Sequence, residues 1–192
     1  MKAHRGMGVM GAALVLALGL IVGGCGNDGA GSSNKVTVGG DARFPIANGG
    51  GPVSDAPFVI IDPDRPSDPL SSDVSTSVGH FFGIIRKTVS VAVILTGTVQ
   101  GQSIRVSGLL AASSNNTDKQ LDGQTDIACE AGVQAVIDGD IQGNELDRRR
   151  IDNLEDAAAR FVADTDFTDP ASVTAAAAQV RALTNDGAHP AP

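Results

Sequence analysis

The chain has 192 residues, 22 acidic and 14 basic side chains, a net charge of −8, and neither Trp nor Tyr. That balance argues against nucleic acid as a partner, because phosphate recognition rests on clustered Lys and Arg, and it denies the chain any pull toward anionic lipid. With six Phe as the only aromatics, the stacking surfaces of sugar-binding proteins are missing, as are the Trp and Tyr that dominate protein hot spots.

The N-terminus has the three parts of a secretory signal. Lys2 and Arg5 give a positive start, residues 7–22 are uncharged and apolar, and the small Gly23 and Gly24 precede Cys25. The run Val22-Gly23-Gly24-Cys25 resembles the lipobox of bacterial lipoproteins. The resemblance covers the first 25 residues. It implies cleavage before Cys25, a diacylglyceryl group on the Cys25 sulfur, and a mature protein anchored to the extracytoplasmic face of the cell membrane. Two acyl chains suffice for stable anchoring, at about 0.8 kcal/mol per buried methylene. The abundance of Gly and Ala and the scarcity of Lys resemble an actinobacterial composition. Residues 1–24 hold two basic and no acidic side chains, so their removal takes the charge from −8 to −10.

Residues 25–57 read as a flexible tether, with Gly/Ser/Asn runs at 26–34 and 48–52. Lys35-Val36-Thr37-Val38 has strand composition but no neighbour in sequence to pair with. A single globular domain is expected over residues 58–187, followed by a disordered tail, 188–192. Residues 62–69, Asp-Pro-Asp-Arg-Pro-Ser-Asp-Pro, exclude helix and central strand. Val74, Val78, Phe81, Phe82 and Ile85 recur at helical spacing and predict a helix over 71–87. The period then becomes two. Residues 89–99 and 103–112 alternate on either side of Gln100-Gly101-Gln102 and predict a β-hairpin with a short Gly-containing loop.

Three helices are expected next, over about 125–138, 145–163 and 170–185. Asp169 is the expected N-cap of the last, Pro170 its first residue and Gly187 its stop. The fold class is therefore α+β: a helix, a hairpin and a C-terminal three-helix subdomain.

Four features invite a chemical reading. Asp138-Gly139-Asp140-Ile141-Gln142-Gly143-Asn144 resembles the start of an EF-hand or dockerin-type calcium loop. Gln142 stands at position five, however, and Arg149 at position twelve, where a bidentate carboxylate is needed. The expectation is an interhelical turn and no metal. Cys129 is the only thiol besides Cys25. It falls on an apolar helix face, so a buried, inert side chain is expected. Arg148-Arg149-Arg150 lies among acidic residues at i,i+4 spacing, the pattern of a solvated, ion-paired face. His80 is the only histidine between residues 58 and 187, with no nucleophile motif beside it.

The order helix, 89–99 and 104–112 resembles the opening of the mycobacterial lipid-carrying lipoproteins, which are half-barrels with an apolar cavity. This chain departs from them by turning helical after Lys119. The leading functional expectation is a non-enzymatic binding or accessory module, lipid-anchored in the cell envelope, with an envelope protein or an apolar ligand as partner and no cofactor. A carrier of lipid or another apolar ligand is the alternative, and a hydrolase using His80 ranks below it.

Overall fold

The computed structural model describes residues 35–86, 89–111 and 116–186. Among them seven strands precede three helices. The strands are β1 (Lys35–Ala42), β2 (Pro57–Asp62), β3 (Arg65–Val74), β4 (His80–Arg86), β5 (Val91–Val99), β6 (Gln102–Leu110) and β7 (Asn116–Leu121). The helices are α1 (Gly123–Ile137), α2 (Arg148–Ala158) and α3 (Pro170–Asp186). The class is α+β, with the three helices at the C-terminal end of the described chain.

The predicted hairpin is β5–β6, paired from Val91↔Leu110 to Val99↔Gln102. Gln100 and Gly101 turn it with φ of 51° and 82°, the left-handed pair whose twist matches that of the strands. The hairpin belongs to a larger sheet, ordered β3-β2-β5-β6. Residues 66 and 69 can be proline because β3 is an edge strand, where a missing N–H is tolerated.

The second sheet is ordered β4-β1-β7, with β1 antiparallel to β4 and parallel to β7. A β-bulge lies between Val38 and Gly40. A Cβ on Gly40 would sit 1.8 Å from the carbonyl oxygen of Lys119, so only glycine lets β7 approach. The two sheets meet through their apolar faces. Phe58 on β2 and Phe81 on β4 pack edge to face, centroids 6.1 Å apart. Ile60, Val93, Leu95 and Val106 are wholly buried around them.

Two expectations are corrected here. The predicted helix over 71–87 is strand, turn and strand. Phe81, Gly83 and Ile85 point inward while Phe82 and Ile84 are exposed. The inward alternation is hidden because position 83 is glycine, where a Cβ would lie 2.4 Å from Ile60 Cδ1. The tether expected over 25–57 is overturned from residue 35 onward. Lys35–Ala42 pairs with β4 and β7, which lie some 45 and 80 residues further along the chain. Phe44 and Val53 are core residues. From residue 35 onward the described chain is one unit.

Helix α1 joins the layers. Asp122 caps it, accepting from the N–H groups of Gln124 and Thr125, while its own N–H donates to Thr125 Oγ1. That reciprocal cap satisfies donors that would otherwise be orphaned. The helix packs on β6, α2 and α3. It is therefore buried nearly all round, with Ile127, Ala128, Cys129 and Ala131 in the core. Gly132 sits where a Cβ would meet Leu109 at 2.6 Å and Leu146 and Leu154 at 3.3 Å. Asp169 caps α3 as expected, accepting from the N–H of Ala171 at 3.0 Å. No described helix is long and apolar enough to cross a membrane.

Candidate functional site: an arginine-rimmed groove among the helices

The loop from Asp138 to Asn144 is built for helix packing. Arg181 on α3 reaches across to it. Its Nη1 lies 2.8 Å from Asp138 Oδ2 and its Nη2 lies 2.6 Å from Asp140 Oδ2. The two carboxylates at calcium-loop positions one and three thus clamp one guanidinium. Asp138 is held below the usual carboxylate range by Gln134 and Arg181. Burial disfavours the Arg181 cation, but its bonds to Asp140 and Asp138 outweigh that and raise its pKa. Gly143 is glycine for a local reason. Its N–H donates to Asp64 Oδ1 at 2.8 Å, and a Cβ would stand 2.6 Å from Asp64 Oδ2.

Beside this clamp lies a groove of about 730 Å³, within the usual range for ligand sites. Gly132, Ala135, Ile141, Leu154, Ala157 and Leu183 give it an apolar floor. Arg149, Arg150, Arg160 and Arg181 line it, with Asp140, Asp147 and Asp156. Asp140 is committed to Arg181. Asp147 is committed to the start of α2, where it accepts from the N–H of Arg150 at 2.8 Å. Among the described residues no carboxylate comes within 4 Å of the guanidinium groups of Arg149, Arg150 or Arg160.

This differs from the ion-paired face expected around Arg148-Arg149-Arg150. Glu145, four residues before Arg149, accepts from the N–H of Gln142 at 2.7 Å and not from a guanidinium. Among the described residues these three cations therefore stand at a concave surface without a direct carboxylate partner.

The other candidates lie elsewhere. Cys25 falls outside the described residues, as do residues 1–24 and the tail from 188. Cys129 is buried on α1, and burial pushes its thiol pKa up to about 12, so it is neither a nucleophile nor a ready ligand. His80 opens β4 on the surface, its Nδ1 3.1 Å from Asp41 Oδ1. That is the base-and-orienter half of a hydrolytic triad. The hydroxyl beside it, Thr76 Oγ1, accepts from the His80 backbone N–H. Among the described residues, no cluster of three or more His, Cys, Asp or Glu side chains is arranged to hold a metal ion.

A second polar cluster, between β6 and α1, was not foreseen. Asp126 is almost fully buried and accepts from Ser107 Oγ at 2.5 Å and Arg105 Nε at 3.2 Å. Arg105 also reaches Glu130 at 2.9 Å. Burial raises the Asp126 pKa, and Arg105 and Ser107 work against that rise. Arg105 is held more firmly protonated by Asp126. With Arg105 Nε on Asp126 and Nη2 on Glu130, this cluster ties β6 to α1. No family model and no curated protein sequence matches the chain.

Proposed function

We propose that this protein is a lipid-anchored cell-envelope lipoprotein whose domain is a non-enzymatic binding module, and that the groove among α1, α2 and α3 receives an acidic partner. The lipobox at Cys25 supports the address. The observation that carries the binding role is the groove itself: an apolar floor with Arg149, Arg150 and Arg160 free of carboxylate partners.

The net charge is −8, so the long-range field does not draw anions. Selectivity comes from the local site. Guanidinium groups with a fork of donors suit carboxylates, with charge-assisted and often bidentate bonds. The apolar floor adds contact area for the rest of the partner.

The test is photo-crosslinking in intact cells. A photoreactive residue replaces Asn153 in the groove or Leu70 on β3. Position 153 should give a discrete adduct that position 70 lacks, and Arg150→Glu with Arg160→Glu should abolish it. An adduct at position 153 that survives both charge reversals, or none at all, would contradict the reading.

A further inference from the structure

We propose that the outer face of β4, through Phe82 and Ile84, rests in the interfacial zone of the bilayer; the inference builds on the lipid anchor at Cys25. Phe82 and Ile84 are 51% and 53% exposed. Both project from the outer face of an edge strand, about 7 Å apart along it. Together they form a small apolar patch, too small to mark an interface by its size alone. Phe82 faces Gly39 and Ile84 faces Thr37 on β1, neighbours too small to cover them.

The covalent chain says what lies there. The first described strand starts at Lys35, and nine residues of sequence, 26–34, lie between it and Cys25. Nine residues span at most about 32 Å. Ile84 pairs with Thr37 and Arg86 with Lys35, so the apolar face starts two residues from the point where the anchored segment enters. The domain is therefore held within about 32 Å of the headgroups, and the Phe82–Ile84 face flanks the point of attachment.

An acidic domain gains nothing from anionic lipid, so the contact is apolar. Two side chains are too few to hold a free protein on a bilayer. They suffice when the anchor keeps the local concentration in the millimolar range. In the sheet order β4-β1-β7, β4 lies at the edge opposite β7, the strand that leads into α1. Docking through β4 leaves the helical groove open to a partner.

The absence of Trp and Tyr makes a single-reporter experiment possible. The full-length lipidated protein, carrying Phe82→Trp, is reconstituted into phosphatidylcholine vesicles with brominated acyl chains. Ile137→Trp, at the exposed C-terminal end of α1, is the comparison, and Ile84→Trp is a second reporter in case the first variant folds poorly. Trp at positions 82 and 84 should emit at shorter wavelength and lose at least half its intensity to bromine, with Trp at 137 little affected. Equal quenching at all three positions would overturn the proposal. So would a blue-shifted but unquenched Trp at 82, which would mean that protein, such as a second copy, covers the face. Intact mass separates the two readings. An acylated Cys25 with an unquenched reporter removes the docking alone, and an unacylated Cys25 removes the anchor and the docking with it.

Discussion

Ser107 Oγ donates to Asp126 Oδ1 at 2.5 Å, across the seam between β6 and α1. The bond is buried, its acceptor carries charge, and Thr125 Oγ1 donates to the Ser107 carbonyl at 2.8 Å beside it. Ser107→Ala removes one donor from a carboxylate that water cannot reach. The expected loss is about 1.5–3 kcal/mol in denaturant unfolding, the range for hydrogen bonds to charged groups. A loss below half a kcal/mol would mean that Arg105 alone satisfies Asp126.

The same cluster sets a pH dependence. Burial raises the folded pKa of Asp126 above its unfolded value, about 3.9. The native state then holds the proton more tightly than the unfolded chain does. The contribution of Asp126 to stability is therefore largest at acid pH and falls as pH rises from the unfolded pKa through the folded one. Asp126→Asn removes this dependence. Relative to wild type, the variant should gain stability as pH rises through that window, as measured by urea unfolding at a series of pH values. A constant difference would show that Arg105 fully offsets the burial.

Cys129 is a packing residue. Its thiol should react slowly with a thiol reagent in the folded protein and fast in denaturant. Cys129→Ala should cost on the order of 1 kcal/mol and Cys129→Asp far more, since the latter buries an unpaired charge. Rapid labelling of native protein would place the sulfur at the surface.

The hairpin and the three C-terminal helices were readable because their signals are local: alternation on either side of Gln100-Gly101-Gln102, an N-cap at Asp169, stripes at helical spacing. The first half was not. The partners of β1 lie far along the chain, and Gly83 erases the alternation that would mark β4. The groove was half legible. Arg148-Arg149-Arg150 stood out, but its concavity needs α1 and α3, and the pairing of Asp138 and Asp140 with Arg181 joins residues some 40 positions apart. The Arg105–Asp126 pair likewise joins two elements that are separate in sequence.

The clamp on Arg181 predicts that calcium leaves stability unchanged. Asp138 and Asp140 already neutralise a cation, and Arg149 stands at the twelfth loop position. Thermal unfolding in millimolar calcium and in chelator should coincide. Arg181→Ala should cost about 0.5–1 kcal/mol, as expected for a partly exposed pair. A rise of several degrees with calcium would show that the loop binds the ion after all.

The most direct test of the binding role is the affinity of the full-length protein for a fluorescent Glu-rich peptide, by anisotropy at low and physiological salt. The account predicts saturable binding that weakens at least tenfold in the Arg150→Glu, Arg160→Glu double variant. Arg148→Glu, just outside the groove lining, should change it little. Equal affinity in all three proteins, or binding lost equally at Arg148, would contradict a groove that recognises acidic partners.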